Sequence, residues 1–295
     1  MLLVLSLVCA QAAGAQTVSV DAAKQQIEKI IAASGAEVAV AYRPLPGPDG
    51  KAADGILIDV DKTFHAASTM KVPVMIEAFR QAEAEAGGIA LDAPVPVTNT
   101  FKSIVDGSPY ELSATEDSDG EVYKAIGKTM TLRELVTASI IVSSNLATNI
   151  LIETLGAENV RKTVAALGGE GMVVLRGVED QKAFDKGLSN TTTARALMVL
   201  LEKIARGEAV SRAASRGMAD ILRMQVFDDA IPAGLPEGVP VGHKTGSITR
   251  INHDAAIVYA ERPYVLVILT RGIDDHAKSS ALMAEISRVI YAAQR

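Results

Sequence analysis

The stretch Phe64-His-Ala-Ala-Ser68-Thr-Met-Lys71-Val-Pro-Val-Met75 places a serine and a lysine three residues apart at the start of a predicted helix. Residues at i and i+3 share one helical face. A hydroxyl there can be held beside an amine, which makes a serine nucleophilic without a histidine. Two specified residues at one fixed offset arise about once by chance in a chain of this composition, so the pair needs support from the rest of the sequence.

Working outward, residues 21–33 set Ala22, Ile27, Ile30 and Ile31 near helical spacing among Lys and Glu, an amphipathic helix that Gly35 ends. Residues 37–42 and 55–60 read as the two strands of a hairpin, separated by Pro44, Pro46, Gly47, Pro48 and Gly50. From 89 to 235 the pattern is mostly helical with loops, and helices are predicted at 132–139, 146–155, 159–167 and 193–204. Asn190-Thr-Thr-Thr193 supplies capping oxygens for the last of these. Residues 239–242, 255–261 and 264–270 are rich in β-branched and aliphatic side chains and read as three strands, and 274–293 as a closing amphipathic helix. The fold class that follows is α+β: an antiparallel sheet flanked by N- and C-terminal helices, with an all-helical region inserted. The α/β part would take about 16–67 and 236–295 and the helical part about 68–235, with a site in the cleft between them.

Composition narrows the partners. The chain has 295 residues, 48% hydrophobic and 22% charged, enough for a sizeable core, and a formal net charge of −6 with no basic run, which argues against nucleic acid. Leu2 to Ala12 is almost wholly apolar and leads into Ala13-Gly14-Ala15, so residues 1–15 read as a signal peptide cut before Gln16. That run is too short to span a bilayer. A periplasmic or secreted protein with no membrane attachment after cleavage is expected. The single cysteine, Cys9, falls inside that segment, leaving a mature chain without disulfides or thiolate metal ligands.

Downstream of Ser68 and Lys71 come Ser143-Ser144-Asn145 between two helical runs and Lys244-Thr245-Gly246-Ser247 at the end of a candidate strand. Ser-x-x-Lys, Ser-x-Asn and Lys-Thr-Gly in that order are far rarer together than singly. With them the chain resembles the penicillin-recognising serine enzymes, most closely the class A β-lactamases, over nearly its whole mature length.

That resemblance implies roles. Ser68 would attack a β-lactam carbonyl to give an acyl-enzyme, with the backbone N–H groups of Ser68 and Ser247 as oxyanion hole. Lys71, its pKa lowered near the second cation Lys244, would accept a proton. Ser143 would relay a proton to the leaving nitrogen, and Asn145 would bind the substrate's side-chain amide. Lys244, Thr245, Gly246 and Ser247 would hold the substrate carboxylate. For Arg250 two readings stand, a further cation at that subsite or a surface arginine. Glu179, in Leu175-Arg-Gly-Val-Glu179, falls where the family keeps its deacylating glutamate; a solvated loop carboxylate is the other reading. No cofactor or metal is implied. The expected partner is a small β-lactam, acted on by a monomer.

The chain departs from the family's pattern at three places. Ala183 stands where an asparagine usually helps to position water, Gly177 and Asn190 lie near the usual neck ion pair, and Ser144 replaces a common aspartate. The 101–128 segment, with Glu116, Asp117, Asp119 and Glu121, reads either as a solvated acidic loop or as a border of the cleft; Tyr110 and Tyr123 are candidates for stacking on substrate. A Ser-His-Asp hydrolase has only His65, His243, His253 and His276 to draw on and no Gly-x-Ser-x-Gly elbow around Ser68, and no His-x-His or His-Glu-x-x-His zinc pattern occurs. The competing functions are a D-alanyl-D-alanine carboxypeptidase or related penicillin-binding hydrolase and, without enzymatic activity, a β-lactam sensor domain.

Overall fold

The computed structural model describes residues 19–47 and 54–294. The expected signal peptide, Cys9 and the middle of the 43–55 connection lie outside the described residues. In chain order, α1 (Val20–Ser34), β1 (Glu37–Pro44), β2 (Ile56–Ile58) and the short β3 (Phe64–His65) lead to a 3-10 turn at Ala67–Met70 and α2 (Lys71–Ala82). Short strands follow, β4 (Pro94–Pro96), β5 (Phe101–Lys102), β6 (Pro109–Tyr110) and β7 (Thr129–Thr131), and then α3 (Leu132–Ile141), α4 (Asn145–Leu155) and α5 (Ala157–Ala166). After α6 (Gln181–Asp185), β8 (Thr191–Thr192), α7 (Ala194–Ala205) and α8 (Arg212–Leu222), the chain returns through β9 (Val241–Ile248), β10 (Ile251–Val258), β11 (Tyr264–Arg271) and α9 (His276–Ala292).

The main sheet has the order β2-β1-β11-β10-β9 with every neighbour antiparallel. Its alternation sorts residues into two cores. Ala39, Ala41, Ala255, Ile257, Val265, Val267 and Leu269 face the helical region. Val38, Val40, Tyr42, Ala256, Val258, Leu266 and Ile268 face the other way, onto Ala23 and Ile27 of α1 and Met283, Ile286 and Ile290 of α9. Both faces are therefore covered, which is why the strands read as unbroken apolar runs rather than alternating ones.

The helical region is built around α2, in which every residue from Lys71 to Phe79 is buried. Pro73 is tolerated because it lies in the first turn, where backbone N–H groups have no intrahelical acceptor. Buried Glu77 accepts from Arg80, Gln81 and Thr163 at 2.6–2.7 Å, fastening α2 to α5. Two expectations change. Lys244 lies in the middle of a long strand rather than at the end of one, and α8 and the short strands β4 to β8 occupy a region read as helices with loops.

Candidate active site

Ser68 sits in the 3-10 turn ahead of α2, pinned from several sides. Ala66 N donates to Asn190 O at 2.9 Å, Ala67 N to His65 Nδ1 at 3.0 Å, and Thr69 Oγ1 to Ala66 O at 2.6 Å. β9 presses on this turn at Gly246, where a Cβ would stand 2.9 Å from both Ser68 N and Thr69 N. The glycine of Lys-Thr-Gly is thus the residue that lets a strand backbone reach the amides of Ser68 and Thr69.

Strain concentrates here. Of five non-glycine residues with positive φ among the described residues, Ala67 (45°), Ser143 (58°) and Glu179 (62°) belong to this site. Such backbone costs about 1–3 kcal/mol each and persists only where its surroundings hold it.

Behind Ser68 runs a connected set of polar contacts. Lys71 Nζ donates to Ser143 O at 2.6 Å, Ser143 Oγ at 3.1 Å and Asn145 Oδ1 at 2.9 Å. Lys244 Nζ donates to Ser143 Oγ at 2.9 Å and to Thr245 O at 2.9 Å. Both amines are fully buried. When Lys71 is protonated, with three N–H donors, Ser143 Oγ accepts from both amines, which uses both lone pairs and leaves its O–H proton to be donated into the cleft. Asn145 Nδ2 donates to Glu179 Oε1 at 2.7 Å. With Oδ1 held by Lys71, one Nδ2 proton remains for a substrate amide.

Electrostatics follows from burial. Loss of water brings the Lys71 amine down to about 7, against the pull of the Asp117 and Glu179 carboxylates. Burial, reinforced by the charge on Lys71, holds Lys244 well below the ordinary lysine value, with Asp254 opposing. Glu179 is exposed to the cleft as a residue, yet partial loss of water at its carboxylate pushes its pKa up, the Asn145 hydrogen bond resisting and Asp117 and Glu116 adding to the rise.

Among the described residues no ion pair closes the neck of the loop that carries Glu179. Asn190 Oδ1 accepts from Leu175 N at 2.8 Å and Arg176 N at 3.2 Å, while its Nδ2 donates to Arg176 O at 3.0 Å. Asn149 clasps Val178 through both its N and O, at 2.6 and 3.0 Å, and Gly177 is a glycine because a Cβ there would strike the Asn149 amide. Asp180 caps α6 and takes Ser103 Oγ at 2.8 Å and Ile104 N at 2.9 Å. Ala183 is fully buried inside this loop.

Ser68, Asn145 and Ser247 line two adjoining cavities. One, of about 510 Å³, adds Ser143, Thr245, Gly246, Asn252 and the rim residues Glu116, Asp228, Asp229 and His276; the other, of about 320 Å³, lies under Glu179 with Val178, Phe184 and Ile248. Arg250 lines neither: its guanidinium donates to Gly272 O at 3.1 Å and pairs with Asp274 at 3.3 Å. Tyr110 and Tyr123 also lie outside both, their hydroxyls donating to Val178 O and the Asp117 carboxylate. His243 is buried against Asp254 at 2.9 Å.

In the sequence Asp117 reads only as one member of an acidic run, and its part in holding α4 is seen in the fold. Its carboxylate accepts from Asn145 N at 2.9 and 3.0 Å and from Leu146 N at 2.9 Å, and so serves the free N–H groups at the start of α4 from 28 residues upstream. The acidic run is divided by this: Asp117 holds the helix that presents Asn145, and Glu116 lines the cleft.

Comparison with known proteins agrees with this geometry. The model of the β-lactamase enzyme family matches residues 22–294. A β-lactamase of Bacillus licheniformis is 28% identical over 264 residues, 87% of this chain and 75% of that protein. β-Lactamase L2 of Stenotrophomonas maltophilia is 27% identical, over 78% of this chain and 73% of its own length. Among solved structures, PBP-A superposes with a TM-score of 0.74 at 26% identity, covering 92% of this chain and 95% of that one. The class A β-lactamase of Mycobacterium abscessus shares the fold, with a TM-score of 0.76 at 23% identity over 92% of this chain and 99% of that one. The chain belongs to the serine β-lactamase family.

Proposed function

We propose that the protein opens the β-lactam ring of penicillins and cephalosporins through an acyl-enzyme on Ser68. The observation that carries this reading is the unbroken chain Glu179–Asn145–Lys71–Ser143–Lys244 beside Ser68. Neutral Lys71 takes the Ser68 hydroxyl proton as Oγ attacks the lactam carbonyl. The oxyanion is held between the N–H groups of Ser68 and Ser247. As the C–N bond breaks, the nitrogen takes the Ser143 proton, which Lys71 replaces. Glu179 then removes a proton from water as that water attacks the ester, and as the ester C–O bond breaks that proton passes to Ser68 Oγ, leaving Glu179 ionised and Ser68 as the free hydroxyl. Lys244, Thr245 and Ser247 hold the substrate carboxylate. Export directed by residues 1–15 would bring this activity to the periplasm or the medium, where it would confer resistance, and the enzyme acts as a monomer.

A D-alanyl-D-alanine carboxypeptidase is the second reading, and Ala183 favours it, because a buried methyl offers nothing to hold a water beside Glu179. Turnover of a chromogenic cephalosporin by purified protein, abolished by Ser68→Ala, supports hydrolysis of β-lactams. Release of D-alanine from a D-alanyl-D-alanine peptide, with only stoichiometric acylation by the cephalosporin, supports the second reading instead.

A further inference from the structure

A third cavity, of about 420 Å³, opens between the end of α7, the 206–211 connection, α8 and Tyr259 beyond β10. Four arginines line it: Arg206, Arg212, Arg216 and Arg223. The Arg223 guanidinium lies 5.4 Å from the centre of the Tyr259 ring. Two carboxylates accompany them, Asp220 in the lining and Glu208, which holds Arg206 at 2.9 Å. Among the described residues, no carboxylate comes within ion-pair distance of Arg212, Arg216 or Arg223. A concave surface with an excess of guanidinium thus sits on a chain whose formal net charge is −6.

Arg212 and Arg216 are four residues apart on α8, a like-charge spacing that works against the helix unless an anion relieves it. Ser215, also in the lining, is buried, and its Oγ has no hydrogen-bond partner. Arginines lining one cavity from the end of α7 (Arg206), along α8 (Arg212, Arg216) and at the end of α8 (Arg223) suit an acceptor that takes hydrogen bonds from several directions. A tetrahedral dianion does this, whereas a single carboxylate is saturated by one or two forks.

We propose that this cavity is a binding site for a phosphate-type dianion, a phosphate or diphosphate group either free or carried on a lipid headgroup. The site stands apart from Ser68 and does not depend on the reading of its chemistry.

Inorganic pyrophosphate titrated into the full chain by calorimetry tests it. Saturable binding at one site is expected, weakened about tenfold by Arg212→Gln and again by Arg216→Gln, each removing one charge-assisted contact. Arg216→Lys, which keeps the charge and loses the fork, should fall between. Thermal melts report whether each variant is folded, and cephalosporin turnover should be unchanged in all three. Lys244→Ala should leave pyrophosphate affinity unchanged, which separates this site from the cleft. No saturable binding up to about 10 mM, affinity indifferent to the arginine changes, or binding lost in Lys244→Ala would each overturn the proposal. Sedimentation with vesicles containing phosphatidic acid, whose headgroup is a phosphomonoester, competed by pyrophosphate, assigns the headgroup as the source; pyrophosphate binding without sedimentation assigns the free anion.

Discussion

Asn145 Nδ2 donates to Glu179 Oε1 at 2.7 Å, so the residue that meets Lys71 through Oδ1 also meets Glu179. In the proposed mechanism these two groups act in successive steps, and one amide sets their separation. Asn145→Ala should lower kcat by about 10²-fold through lost positioning, with acyl-enzyme accumulating during turnover. Stopped-flow and mass spectrometry check this; an unchanged kcat would show that Glu179 is held in place by its loop alone.

Asp117 acts on both of those groups through its charge and on α4 through its hydrogen bonds. Its carboxylate favours the protonated forms of Lys71 and Glu179. Removing the charge lowers both pKa values, so neutral Lys71 and ionised Glu179 are reached at lower pH. Asp117→Asn should therefore move the acidic limb of the kcat and kcat/KM profiles to lower pH and cost about 1 kcal/mol of stability from the weakened cap. A limb that stays in place while stability falls would leave Asp117 a purely structural role.

Gly246→Ala puts a methyl against the amides of Ser68 and Thr69. Overpacking of this kind costs about 1–3 kcal/mol, and here it pushes β9 away from the Ser68 amide, one of the two donors proposed for the oxyanion. A fall in kcat/KM of about 10²-fold is expected with the far-ultraviolet circular dichroism unchanged. Full activity in a folded variant would mean that β9 does not need this approach.

Much of the site was legible because the family's short motifs lie where local structure concentrates polar groups: at the start of α2, at the strained turn into α4, and along β9. Ser68, Lys71, Ser143, Asn145 and the 244–247 strand converge as the chain folds. What escaped were contacts set by packing between distant segments. Asp117 reaches α4 across 28 residues, and Asn190 closes the neck of the Glu179 loop by clasping backbone rather than by an ion pair. Arg250 is positioned by a tight turn between β9 and β10 that directs it to Asp274. α8 was hidden because its inward face is built partly from Ala214 and Ser215, which give little hydrophobic signal beside Met218, Ile221 and Leu222.

Lys71 links function to stability. Its amine titrates near 7 when folded and near the ordinary 10.5 when unfolded. Between these values the unfolded chain binds a proton that the folded chain has released, so stability rises with pH across that window, and Lys244 contributes with the same sign. Urea denaturation between about pH 7 and pH 10 should show this rise, and Lys71→Met should flatten it. An equal slope in the variant would place the dependence elsewhere.

In the proposed mechanism Glu179 releases what Ser68 captures, despite a buried alanine at position 183. The most direct measurement is the mass of Glu179→Gln protein after brief mixing with a penicillin, beside the wild type. A stable adduct of intact penicillin mass is expected on the Ser68 peptide of the variant and a rapidly cleared one in the wild type. Equal clearance in both proteins would contradict it.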